Sequence, residues 1–256
     1  MREILSSLVV NRFDVGAARV SSTTPCLTHE LIKHLINREI KGYICVSNVR
    51  TVAFANQTPE YCQILNNSLM TLPDGMPLVW LARLWGLKDV QRTTGPDLFV
   101  RMLSDTQSGI RHFLLGDTEE TLAAIWGKYP DANICGTLSP PFCKVDEFDY
   151  ELIAKMVNQS GADIIWISLR SPKQDFFAVR LLPYLDKGIC IGVGAAFRFA
   201  VGQIKHPPKI IKTMGLTGLF WRKWTIAEIF WYIKHTFWLT YWTICILMKR
   251  TFGIFR

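Results

Sequence analysis

The stretch HFLLGDTEETLAAIWGKY, residues 112–129, decides the fold. His112–Leu115 is a short apolar run that stops at Gly116 and Asp117, the mark of a strand buried on both faces. Thr118 stands where a helix would be capped, with Thr121 three residues on, and Glu119–Tyr129 then carries apolar residues at helical spacing. Strand, turn and amphipathic helix follow one another without a spare residue.

The same unit recurs in both directions along the chain. Short apolar runs fall at Leu8–Phe13, Tyr43–Ser47, Leu69–Leu72, Asn133–Gly136, Ile164–Ser168 and Ile189–Val193. Helical periodicity falls at Thr28–Glu39, Thr51–Leu65, Met76–Leu84, Pro96–Leu103, Asp146–Asn158 and Lys173–Leu185, with Asp146 read as a helix start. Strands alternating with helices of this length predict βαβ units: an α/β, Rossmann-like, mostly parallel sheet with helices on both faces. Ligands of such sheets sit beyond the carboxyl ends of the strands.

Composition narrows the function. The chain has 256 residues, 49% hydrophobic and 20% charged, which excludes both a disordered chain and a polytopic membrane protein. Seven cysteines are scattered without a C-x-x-C pair, so neither a zinc site nor a disulfide framework is expected, and a reducing compartment fits better. Asn11, Arg12 and Asp14 interrupt the first apolar run, so no signal peptide is expected. The net charge of +8 is concentrated in one segment: residues 203–256 hold nine basic residues against Glu228 alone, while residues 1–202 are neutral. The same segment carries five of the nine Trp: 221, 224, 231, 238 and 242. Two domains are therefore expected, a body at 1–202 and a basic, Trp-rich helical appendage at 203–256.

After the predicted strands stand Ser47-Asn48, Pro73-Asp74-Gly75, Gly116-Asp117, Arg170–Asp175 and Gly192-Val193-Gly194. No G-x-G-x-x-G, no P-loop, no H-E-x-x-H and no Asp-x-Asp is present, so neither a cofactor nor a metal is expected. Asp74 on its own reads first as an Asx turn or helix cap, and second as a general base facing a cleft. Arg92, with the helix start at Gly95-Pro96, reads as a solvated cation or as a holder of phosphate. Lys173 could balance a diphosphate and Gln174 could bond a sugar, but helix capping gives a similar string. Gly192 and Gly194 read as a close approach to ligand or as close packing. The five His form no cluster.

Taken in order, Asn48, PDG at 73–75, RTTGPDL at 92–98, FLLGD at 113–117, SPKQD at 171–175 and GVGAAF at 192–197 resemble the WecG/TagA/CpsF family of bacterial glycosyltransferases. The resemblance covers nearly the whole chain, and PDG followed by R-x-T-G is its most specific part. It implies an inverting, metal-independent enzyme that moves an N-acetylmannosamine-like sugar from a UDP donor. The implied acceptor is a polyprenyl-diphosphate-linked saccharide at the cytoplasmic membrane face, in cell-surface polysaccharide synthesis. By position, Asp74 matches the family's proposed base, Asn48 its T-x-N asparagine, Gln174 its P-K-Q-E glutamine, and Arg92 and Gly95 its R-x-T-G. Lys173, Gly192 and Gly194 join these as substrate contacts within the body, and Arg222 and Lys223 are candidates for the lipid diphosphate. The sequence departs at Val46 (the T-x-N threonine), Asp175 (glutamate), Arg198 (aspartate) and His206-Pro207-Pro208 (R-A-P). Val46 and Arg198 support a rival reading, a catalytically silent membrane-bound scaffold of an assembly complex. Homo-oligomerisation stays open.

From Trp221 the pattern is helical with no polar face, which belongs in lipid or inside protein. Thr236–Met248 is only 13 uncharged residues, too few to span a bilayer alone, and is bracketed by Arg222-Lys223 and Lys249-Arg250. A monotopic anchor on the cytoplasmic face is expected, with a tilted span open because Lys234 can snorkel. Nucleic acid is not an expected partner, since this hydrophobicity leaves little wet surface for phosphates. Removing residues 221–256 should leave a folded body that no longer floats with anionic liposomes. The full chain should stay partly bound at high salt, because apolar insertion is not screened. Flotation of both forms at low and high salt decides it, and a truncated body that still floats sinks the anchor.

Overall fold

The computed structural model describes residues 10–205 and Pro208. The chain opens with an antiparallel hairpin, β1 (Arg12–Val15) and β2 (Ala18–Ser21), turned at Gly16 with φ 69°. There follow α1 (Pro25–Asn37), β3 (Gly42–Ser47), α2 (Val49–Gln57), α3 (Pro59–Asn67), β4 (Met70–Pro73), α4 (Met76–Leu84) and α5 (Gly95–Leu103). The second half adds β5 (His112–Gly116), α6 (Glu119–Lys128), β6 (Ile134–Leu138), α7 (Tyr150–Ser160), β7 (Ile164–Ser168), α8 (Lys173–Leu181), β8 (Ile189–Gly192) and α9 (Ala196–Ala200).

Six strands form one all-parallel sheet in the order β4-β3-β8-β7-β5-β6. Alternate side chains of each strand feed two buried clusters, one on each face. Tyr43 and Cys45 of β3 with Ile165 and Ile167 of β7 face α2, α3, α4, α7 and α8. Ile44, Val46, Ile164 and Trp166 face α1, α5, α6 and α9. One polar pair lies within this interior: Trp166 Nε1 donates to His112 Nδ1 at 3.2 Å, and burial pulls the His112 pKa down to about 4, which keeps the ring neutral.

The parallel α/β sheet covered on both faces is as predicted, with differences in detail. The first predicted strand, Leu8–Phe13, is displaced to Arg12–Val15 within the described residues, and it pairs in a hairpin outside the main sheet. The predicted helix Thr51–Leu65 is two helices, because Pro59 has no N–H to donate and drives Thr58 into an extended conformation. Asp146 lies inside a 3-10 turn, Val145–Glu147, and Asp149 caps α7, its Oδ1 accepting from Leu152 N at 2.9 Å. The helix predicted to run to Leu185 ends at Leu181 and tightens into a 3-10 turn containing Pro183. Helix α9 has no counterpart in the predicted elements. The appendage lies outside the described residues except for 203–205 and Pro208. Among the described residues no helix is long and apolar enough to cross a membrane.

Arg12 fixes the hairpin to the body. Its Nη1 donates to the carbonyls of Leu65 and Asn66 at 3.2 Å each, and its Nη2 to those of Ser68 and Leu69. These carbonyls close α3 and lead into β4, so a cation there satisfies acceptors that the helix end leaves open. Arg12→Ala should cost about 2–3 kcal/mol, the scale for hydrogen bonds to a charged group together with stranded acceptors. Urea denaturation of the two proteins measures it; a loss under about 0.5 kcal/mol, the surface-substitution scale, would mean that water replaces the guanidinium at no cost.

Candidate active site

All six parallel strands end on one side, so the segments that follow them converge there. After β3 the chain turns into α2 on one face, and after neighbouring β8 it turns into α9 on the other. Divergence of this kind opens a crevice at the carboxyl edge. Asp74, Asn48, Gly194, Arg170 and Asp117 follow successive strands along it.

Asp74 is held from both sides. Its N–H donates to Ser47 O at 2.8 Å, and the carbonyl of Pro73 accepts from Thr93 N at 2.9 Å. The carboxylate caps nothing: the N-cap of α4 is Gly75, with no side-chain cap, so the capping alternative is not what the chain adopts. Its partner is Arg92, whose Nη2 lies 3.5 Å from Oδ1, a long contact for an ion pair. Desolvation pushes the Asp74 pKa up to about 7, against the opposing pull of Arg92 and with a further push from Asp97. Arg92 is itself unsaturated, with its Nε buried and without a partner.

Asn48 neighbours Asp74 across the β3–β4 pair; a Cβ on Gly75 would lie 3.9 Å from the Cβ of Asn48. Its Oδ1 caps α2 by accepting from Arg50 N at 2.9 Å and Thr51 N at 3.3 Å, while Thr51 Oγ1 accepts from Asn48 N. The side chain is therefore fixed at an exposed strand end, with its amide Nδ2 left for other work. Val46, two residues earlier on the same side of β3, packs its methyls into the core.

Gln174 is 2% exposed and fully engaged. Its Oε1 accepts from Gly194 N at 2.8 Å and its Nε2 donates to Ser171 Oγ at 3.0 Å. Gly192 is required beneath it, since a Cβ there would stand 2.7 Å from Gln174 Nε2. On the other side, a Cβ on Gly95 would stand 2.9 Å from Val193 O, so the start of α5 abuts the same turn. The glycines at 95 and 192 thus serve close packing of the crevice wall. Lys173 turns elsewhere: its Nζ donates to Cys143 O and lies 4.8 and 5.5 Å from the ring centroids of Phe148 and Phe142. Arg222 and Lys223 lie outside the described residues.

Two groupings were not foreseen. Asp175 is buried below Gln174, where its Oδ2 accepts from Tyr61 O–H at 2.8 Å. Burial raises its pKa to about 7, opposed by hydrogen bonds from Tyr61, Ser171 and Cys45. Arg198 forks onto Asp117, joining α9 to the end of β5. Among the described residues no three His, Cys, Asp or Glu come together as a metal-ligating group.

Residues 13–225 match the glycosyl transferase WecG/TagA/CpsF family. A Bacillus subtilis (strain 168) protein, N-acetylglucosaminyldiphosphoundecaprenol N-acetyl-beta-D-mannosaminyltransferase, is 27% identical over 206 residues, 78% of each chain. A protein of the same name from Bacillus spizizenii (strain ATCC 23059 / NRRL B-14472 / W23) is 28% identical over 186 residues, 70% of each chain. The crevice described above falls within the matched residues, and the chain belongs to the WecG/TagA/CpsF family of glycosyltransferases.

Proposed function

We propose that this glycosyltransferase moves an N-acetylmannosamine-like sugar from a UDP donor to a polyprenyl-diphosphate-linked saccharide, with inversion and without a metal. The observation that carries the reading is Asp74: a carboxylate at a rigid strand end, capping nothing, with its pKa raised to about 7. A base poised there is matched to removing a proton at neutral pH. Asp74 takes the proton of the acceptor hydroxyl, that oxygen bonds to the anomeric carbon, and UDP leaves from the opposite face with the bonding pair. A β-linkage, as in the relatives' names, is what one displacement on an α-linked nucleotide sugar yields.

Arg92 does two things in this scheme. Its long contact with Asp74 and its unpartnered Nε suit it to turn toward the diphosphate as charge grows on the leaving group. Turning away also removes the cation that restrains the Asp74 pKa, which strengthens the base. Gln174 acts as a positioning residue, holding the Gly192–Gly194 turn, and Asn48 offers its Nδ2 to a sugar hydroxyl. Residues 1–202 form the donor-binding body, while 203–256, with Arg222 and Lys223, bring it to the lipid-linked acceptor at the cytoplasmic membrane face.

The test is turnover of UDP-N-acetylmannosamine with a short-chain polyprenyl-diphosphate N-acetylglucosamine, assayed in excess EDTA. Wild-type protein should keep its activity, and kcat/KM should rise with pH through about 7 and level off as Asp74 ionises. Asp74→Asn should lose about two to four orders of magnitude in kcat with donor affinity little changed. Near-normal turnover of Asp74→Asn would remove Asp74 from the chemistry, and abolition by EDTA with rescue by Mg²⁺ would remove the metal-free step.

A further inference from the structure

The scheme above leaves one ion pair at the crevice unused. Arg198 Nε donates to Asp117 Oδ1 and Oδ2 at 3.1 and 2.9 Å, and its Nη2 donates to Oδ1 at 3.0 Å. The Asp117 side chain is 4% exposed, whereas that of Arg198 is 48% exposed. Asp117 follows β5 and Arg198 lies in α9, just after β8, and β7 lies between these two strands. The Arg198 side chain therefore passes beyond the carboxyl end of β7 to reach its partner.

Everything under that crossing is fixed. Asp117 has φ 60°, a left-handed conformation that a non-glycine residue adopts only when its surroundings hold it. Its carbonyl accepts from Ser139 Oγ at 2.7 Å. Ser168 Oγ, at the end of β7, donates to Gly194 O at 2.6 Å. The guanidinium is thus a plane pinned along one edge and about half exposed to solvent.

The chemistry of the plane limits what it can receive. A forked Arg–carboxylate pair is electrically satisfied, and Glu119 and Glu120 follow immediately in the first turn of α6. A second anion is disfavoured there. An uncharged flat ring is not, since nucleobases stack on guanidinium planes. Position agrees with this: Asp74 follows β4, and the guanidinium crosses the end of β7, three strands along, a separation of about 14 Å at the usual strand spacing. A nucleotide sugar laid along the edge with its anomeric carbon by Asp74 extends its base toward Arg198. We infer that Arg198, forked on Asp117, is the platform on which the nucleobase of the donor stacks. This rests on the donor reading proposed above.

The experiment titrates the full-length protein with UDP, and with uridine as a competitor of UDP, in wild type, Arg198→Lys and Arg198→Ala. Lysine keeps the charge beside Asp117, and so the fold, but has no plane to offer. Both variants should weaken UDP by about tenfold, the scale of one stacked base. Uridine, which carries no phosphate, should lose the same factor, and KM for the acceptor should not move. Restoration of UDP binding by Arg198→Lys, or loss for UDP without loss for uridine, would make Arg198 an anion contact and overturn the platform. Unchanged binding in both variants overturns it as well, while leaving the donor reading standing. A wild-type protein that binds no UDP ends the donor reading, and the platform falls with it.

Discussion

Burial of both faces of the parallel sheet is the constraint on which the rest depends. Strands such as β3, β7 and β8 are apolar on each side, so ionised chemistry has no place along their length. It is displaced to the strand ends, and because the strands are parallel it is displaced to the same edge. Asp74, Asn48, Asp117 and the Gly192–Gly194 turn share one edge for that reason, though 146 positions separate Asn48 from Gly194 in sequence.

Convergence at an edge is not yet a site, because loops are mobile unless something ties them. Here the ties are hydrogen bonds and van der Waals contacts that cross between strand ends. Thr93 bonds to Pro73, Gly194 to Gln174 and Ser168 to Gly194, and the start of α5 meets Val193. The proposed base is thereby carried on a strand and braced by the loop that also carries its cation. Rigid support of this kind lets a carboxylate keep an unfavourable, half-desolvated position without being captured by a backbone N–H.

The strands were legible because a buried strand leaves an uninterrupted apolar run with a turn residue at its end, as at Gly116 or Gly192. The candidate residues were legible for the same reason, since a polar residue just past such a run has few places to be. The hairpin was missed because Val15-Gly16-Ala17-Ala18 gives no polar alternation, and the Thr58-Pro59 break because a helical spacing continues across it. Partnerships between distant residues leave no local trace. Tyr61 and Asp175 lie 114 positions apart, and Asp117 and Arg198 lie 81 apart. A sequence read by period and punctuation names such residues singly and cannot join them. Lys173 is the converse case, adjacent in sequence to Gln174 but turned by Cys143 and two aromatic rings toward a different loop.

The contact of Gln174 with the turn after β8 has an evolutionary consequence. Any side chain at position 192 must displace Gln174, and displacing Gln174 frees the N–H of Gly194. Substitutions at these positions therefore cannot be scored one at a time, because residues sharing one hydrogen-bonded contact couple rather than add. A lineage that changed position 174 would lose the reason for glycine at 192, and a lineage that filled 192 would have to shorten 174 in the same step. Drift in this turn is confined to paired moves, so the wall of the crevice should change in jumps while the outer helices change gradually.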